Sequence, residues 1–453
     1  MYNTQTSTLD LKVIILFLFS IVLVSSITVA SMQTSAMVAM LMVVVFILNG
    51  FIKGKFILTQ HPVQKPLFLL LLWALVSLLL SELLTSKALP STEQLSVYEW
   101  ITGMNSPQFR GIVFLFRLFL SIFAIEYIVL HVNSESKFFK VLNYFLLAYS
   151  AVYIYVIVQI ILFIFFSIEV GSITPNRRFG GFIGEPGTLA GLLVSGYFLI
   201  FSCLIKKNQS IWFSIFSLKC IFIIATIDLL FTFSAAWIPS AILAFFLTGR
   251  KYLSGKILIS LLVAVLLLTI ILYEAFYSLV IMKSMGPLFN IIGFMEAGSS
   301  YSSEGNFIFS SRMATVIAGI KIFMNHPISG VGIGKSPFFI PVQMISDFGY
   351  ERSFYSEGFY RARIPPMNTY IQWMAETGII GLAILLCIIC SLYKHGQEIK
   401  GTYKHLINFG FGGALIAAAI AINAIPDYLY VGYINFLIAM YITGIKLFGE
   451  KKS

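Results

Sequence analysis

About a dozen stretches of this chain are apolar for close to twenty residues at a time. A helix needs roughly 20 residues to cross ~30 Å of hydrocarbon, and in lipid each backbone polar group must be satisfied within its own segment. Runs over residues 11–28, 36–52, 66–84, 111–130, 141–166, 188–205, 211–228, 235–247, 257–276, 370–392, 406–424 and 428–448 therefore predict an all-α polytopic membrane protein with about 12 transmembrane helices. The chain is 58% hydrophobic and only 11% charged, as this reading requires. The first run carries one early cation, Lys12, and no clean small-residue cleavage site, so it reads as an anchor and not as a cleaved signal.

Lys and Arg placement sets the orientation. One set of alternate loops holds Lys53, Lys55 and Lys65, then Lys137 and Lys140, Lys206 and Lys207, Arg250, Lys251 and Lys256, and Lys394, Lys400 and Lys404. The opposite short loops hold only Lys87 and the pair Arg177–Arg178. Both termini are expected in the cytoplasm, with Arg177 and Arg178 on the outer face. The net charge of +11 is thus mostly the positive-inside signal and does not imply a nucleic-acid patch. The chain divides into helices 1–9 (residues 1–281), one large outer loop (282–367) and helices 10–12 with the tail (368–453).

The loop has its own pattern. Residues 287–305 are rich in Gly and Ser and read as irregular. After Ser310-Ser311, the residues Met313, Val316, Ile317, Ile320, Phe323 and Met324 recur at helical spacing, which predicts an amphipathic helix lying on the membrane or against the bundle. It should stop at Asn325-His326-Pro327, before the turn-rich Gly330-Val331-Gly332-Ile333-Gly334-Lys335. The loop is too short and too poor in strands for a separate domain and should cap a cavity in the bundle.

Little else can do chemistry. The outer turn over residues 168–187 carries Arg177, Arg178 and Glu185, and the large loop carries Arg312, Glu351, Arg352, Arg361 and Arg363. Arg110 and Arg117 open the fourth span on one face, with Arg117 about 10 Å deeper. An arginine at that depth costs at least ~2.5 kcal/mol unless it pairs or faces water. Guanidinium groups grip phosphate oxygens through forked hydrogen bonds, so several around one membrane-level cavity suit a diphosphate headgroup. Any single one could equally snorkel to lipid headgroups. Glu185 could act as a base, or could favour a helix entry beside Pro186. His326 reads as a turn residue or a base, and Glu126 and Asp228 as charges near span ends.

No metal site is expected. There is no Asp-x-Asp, and the other histidines, His61, His131, His395 and His405, are scattered along the inner side. Cys203, Cys220, Cys387 and Cys390 all lie in apolar runs, and Cys387-x-x-Cys390 has no polar surroundings to make it a redox or zinc pair.

Three motifs in order resemble the O-antigen polymerase and ligase superfamily: Arg178-x-Gly180-Gly181-Phe182-x-Gly184-Glu185-Pro186; Ser311-Arg312 followed by His326-Pro327-Ile328-x-Gly330-Val331-Gly332; and Asn368-x-Tyr370 leading to Glu376-x-Gly378. The resemblance implies a GT-C-like glycosyltransferase membrane fold in the bacterial inner membrane, with its site at the periplasmic face. It implies oligosaccharides on undecaprenyl diphosphate as donor and acceptor, membrane lipids and a chain-length regulator as partners, and no cofactor. Arg178 and Arg312 would hold the donor diphosphate, with Arg117 and Arg177 beside them. Arg352, Arg361 or Arg363 would hold or gate the second lipid substrate, and Asn368 and Tyr370 would line the site. Arg312, Glu185 and Glu351 are the catalytic candidates. Ligases of the superfamily place His before the Asn of the late span; here Met367 stands there, which favours a polymerase. Ser234-Ala235 replaces a Ser-Arg pair common in relatives. A flippase or other transporter is the reading from another class, but its paired halves are absent from the sequence and the large loop is present.

Overall fold

The computed structural model describes residues 8–22, 28–29, 32–53, 60–84, 107–173, 179–181, 186–206, 210–232, 237–250, 252, 304–340, 366, 368–399, 401–421 and 432–449. These are almost entirely helical. In chain order they form α1 (Thr8–Val22), α2 (Thr34–Lys53), α3 (Gln64–Leu84), α4 (Pro107–His131), α5 (Glu135–Phe166), α6 (Pro186–Ile205), α7 (Ile215–Phe231), α8 (Trp237–Gly249), α9 (Glu304–Asn325), α10 (Thr369–Gln397), a π-helix (Leu406–Phe411) continuing as α11 (Gly412–Ala421), and α12 (Gly432–Phe448). Eleven of the expected apolar runs coincide with helices; the run at 257–276 lies outside the described residues. Among the described residues, four helices (α3, α4, α5 and α10) are long and apolar enough to cross a membrane.

Packing follows from small residues beside large rings. Gly196 of α6 admits Tyr149 of α5, since a Cβ there would sit 2.0 Å from the ring. Gly413 admits Phe198 in the same way. Close backbone approach of this kind is the main source of attraction between helices in lipid. α4 packs on α2, α3 and α12, and α6 on α7 and the π-helix; α11 lies on α8, and α10 on α3 and α9.

Two short antiparallel strand pairs occur among the described residues, β1 (Thr28–Val29) with β2 (Met32–Gln33) and β3 (Ser172–Ile173) with β4 (Phe179–Gly181). The second pair falls in the Gly-rich turn of the sequence, and β4 rests on α5 and α6.

α9 departs from the sequence expectation at its start. It begins at Glu304, so Ser310 and Ser311 lie inside the helix and not ahead of it. Its buried stripe is Thr315, Ala318, Gly319 and Ile322, with Gly319 against Ile371 and Pro366. Ile320 and Met324 face away from the bundle, 37% and 68% exposed. The helix thus rests on the bundle by one face and offers apolar side chains on the other.

Two acidic groups lie near span ends, as expected, yet both are buried. Asp228 is fully buried in α7, and among the described residues neither carboxylate oxygen has a hydrogen-bond partner. Glu126 is buried and sits 2.7 Å from His61 Nε2. Nearby, Asp10 Oδ1 accepts from Tyr127 Oη at 2.8 Å and Asn49 Nδ2 at 3.1 Å, with His131 Nε2 3.7 Å away. Histidines scattered in sequence are gathered here, because a buried charge must find partners. Removing one partner of a buried pair costs about 3–5 kcal/mol. Glu126→Ala is therefore expected to lower the melting temperature in detergent sharply, and His61→Ala with Glu126→Ala to restore part of it. An unchanged melting curve for Glu126→Ala would contradict the pairing.

Candidate functional site

α10 is interrupted at Gly378, whose φ of 68° and ψ of −169° lie in a region open essentially to glycine. A break in a buried helix frees amide and carbonyl groups that must be matched. The segment after α9 matches them. Ile379 N–H donates to Pro327 O at 2.9 Å, Val331 N–H to Ala375 O at 2.9 Å, and Gly332 N–H to Glu376 O at 2.9 Å. Gly330 must be glycine as well: its φ is +67°, and a Cβ would lie 2.3 Å from the Glu376 carbonyl carbon. Between the glycines, Val331 and Ile333 are fully buried.

α3 supplies the other wall. Trp73, Ser77 and Ser81 recur every four residues and so share one face. Trp73 Nε1 donates to Thr377 O at 2.8 Å. The Ser77 hydroxyl lies 2.7 Å from Ser329 O and 2.9 Å from Glu376 O.

The Glu376 carboxylate, in a residue only 3% exposed, is the centre of this clasp. Its Oε2 accepts from Gly334 N–H at 2.9 Å, and its Oε1 from Ser336 Oγ at 2.6 Å and Gln372 Nε2 at 3.3 Å. Cations close the remaining side. Arg110 Nε donates to Gly334 O at 2.9 Å. Lys335, 2% exposed, donates to Ser81 Oγ at 2.8 Å and ion-pairs with Glu82.

Arg117 and Arg110 share one face of α4, as their spacing predicts. They bracket the Phe114 ring, 5.3 and 4.8 Å from its centroid, a cation–π arrangement that holds Arg117 half-buried among the helices. Arg312 falls in α9, one turn before Thr315. Asn368 is the N-cap of α10, its Oδ1 accepting from Ile371 N–H at 3.1 Å. The Tyr370 hydroxyl donates to Ala419 O at 2.9 Å and ties α10 to α11. Both therefore have structural work whatever else they do. His326 ends α9, and partial burial pushes its imidazole below its ordinary pKa and favours the neutral ring. Arg177, Arg178, Glu185, Glu351, Arg352, Arg361, Arg363, Met367 and Ser234-Ala235 lie outside the described residues. No group of three or more His, Cys, Asp or Glu that could hold a metal occurs among the described residues.

Lys335, Ser336, Glu82, Trp73 and Ser77 were not singled out from sequence. The four-residue spacing of Trp73, Ser77 and Ser81 was the available signal.

Described residues that are almost entirely helical, with four helices among them able to span lipid and a loop folded back into a broken helix, make this a multi-pass membrane protein. Residues 220–386 match the O-antigen ligase family model, which supports membership of the O-antigen polymerase and ligase superfamily. No curated protein matches the sequence. The matched stretch contains both the glycine loop and the break in α10, so two of the three sequence motifs meet in space as one interlock.

Glu376→Ala removes the acceptor for Gly334 N–H and Ser336 Oγ. Buried groups left unmatched cost about 1–3 kcal/mol each. Thermal unfolding in detergent should show a large drop for this variant and a smaller one for Glu376→Gln. Equal melting temperatures for the two variants and the parent would exclude the clasp.

Proposed function

We propose that the protein is an O-antigen polymerase of the bacterial inner membrane. It joins oligosaccharide repeat units carried on undecaprenyl diphosphate at the periplasmic face and releases undecaprenyl diphosphate. The carrying observation is the family match over residues 220–386. The choice of polymerase rests on Met367, which stands where ligases of the superfamily place an ionisable His.

The geometry supports a site at one end of the bundle. α3 ends, α4 begins and α10 begins at the clasp. Because α4 and α5 are joined by the short turn after His131, α5 returns to that same end and delivers the β3–β4 pair there. The described ends of α3, α4, α5 and α10 thus converge on one face of the bundle.

In this reading Arg178 and Arg312 grip the diphosphate of the growing chain, with Arg117 and Arg177 adding positive potential. A hydroxyl of the incoming unit attacks the anomeric carbon, the carbon–oxygen bond to the lipid diphosphate breaks, and the sugar configuration inverts. Fixed guanidinium groups stabilise the charge that develops on the leaving group. Arg352, Arg361 or Arg363 hold the acceptor lipid. Glu185 and Glu351 are the candidates to take the hydroxyl proton. The clasp holds the base of the large loop in one position over this site, and such positional control is worth orders of magnitude in rate.

The ligase reading has one observation in its favour, the description of the matching family. The two separate on a lipopolysaccharide gel from a strain lacking only this gene. Core bearing a single repeat unit with no ladder is the result expected here, whereas bare core with polymer still on its lipid carrier would establish a ligase. In the complemented strain, Arg178→Ala and Arg312→Ala should insert normally yet lose the ladder, each by a factor of a hundred or more if it stabilises the leaving group, roughly as for removal of one oxyanion donor. A full ladder from both variants would remove the arginine clamp.

A further inference from the structure

Away from the clasp, a cavity of about 800 Å³ opens between α10 and the helices α4, α11 and α12. α10 packs closely on α3 and α9 but barely on α12 and the π-helix, and this separation makes the space. Its wall includes Leu118, Ile125, Ile388, Leu415 and Ile438; Ser121 and Asn435 are the polar exceptions in its deeper part.

The mouth is different. Thr248, Arg250, Tyr252 and Gln397 line the cavity where α8 and α10 end. Arg250 is exposed and, among the described residues, has neither an ion pair nor a hydrogen-bond partner. The Lys404 carbonyl accepts from Tyr252 Oη at 3.4 Å, which sets Lys404 beside the mouth, and among the described residues it makes no ion pair. Along α10 the lining runs from Leu385 to Gln397, about 18 Å at 1.5 Å per residue. One leaflet contributes about half of a ~30 Å hydrocarbon core. The cavity is therefore as deep as one lipid tail is long, and its volume falls within the ~300–1,000 Å³ of ordinary ligand sites.

We infer that this cavity holds one tail of an anionic glycerophospholipid from the leaflet on the Lys- and Arg-rich side, with its phosphate at Arg250. The apolar wall selects a hydrocarbon chain, the depth matches a single leaflet, and the unpaired cations at the rim select a negative headgroup. The site lies at the opposite end of the bundle from the clasp and does not depend on which transfer reaction the protein performs.

The test uses the full chain in phosphatidylcholine vesicles containing a small fraction of phosphatidylglycerol with a photoreactive diazirine at the tail end. After illumination, labelled peptides are mapped by mass spectrometry. Label should concentrate on 385–392 and 434–441. Unlabelled phosphatidylglycerol should compete, and phosphatidylcholine should not. Arg250→Ala should cut the labelling about fivefold, the worth of one surface cation toward an anionic lipid. Ile388→Trp, which fills the cavity, should abolish it there while leaving labelling of the exposed Leu79 and Leu83 face unchanged. Even labelling of all lipid-facing helices, indifference to both substitutions, or competition by undecaprenyl phosphate alone would each overturn the inference.

Discussion

A helix interrupted in apolar surroundings leaves amide and carbonyl groups that lipid cannot satisfy. At Gly378 those groups are matched by Pro327, Val331 and Gly332, and by Trp73 and Ser77 of α3. The rest of this end of the bundle hangs on this exchange. It fixes where α9 can lie, because only five residues separate Asn325 from Val331. It also fixes Arg110, whose guanidinium is occupied by Gly334 O and so holds the loop in place. Arg117, one face down the same helix, is anchored instead by the Phe114 ring.

Buried charge has a different solution at each end of the bundle. At the clasp end the carboxylate of Glu376 accepts from the neutral donors Gly334 N–H, Ser336 Oγ and Gln372 Nε2, while Lys335 pairs with Glu82. At the opposite end Asp10, Tyr127, Asn49, His61 and Glu126 spread their polarity over three helices and the turn before α3. Asp228 follows neither pattern, being enclosed without a partner among the described residues.

The helices were legible because length and hydrophobicity alone define a segment that can live in lipid. Thus α3, α4, α6 and α10 begin or end within a few residues of their apolar runs. The clasp was legible only as a pattern. Gly330, Gly332 and Gly378 stood out as glycines in order, but nothing in the chain announces that residue 330 will touch residue 376, since that pairing is set by how α3 and α10 pack. The start of α9 was not legible, because Ser310-Ser311 read as a helix opening whereas the helix already begins at Glu304. The polar knot at the end opposite the clasp was missed because its members, Asp10, His61 and Glu126, are far apart along the chain and each looks ordinary alone.

The matched family stretch, residues 220–386, includes the glycine loop and the break in α10 but not Trp73, Ser77, Ser81 or Arg110. The loop and its socket are therefore written in two separate parts of the chain. Domain-exchange experiments that move only the C-terminal half between relatives would transplant a key without its lock, whereas a crossover that carries α3 and α4 along would preserve the fit. Any drift at position 77 or 110 is likewise constrained by residues more than two hundred positions away, so the two halves must change together.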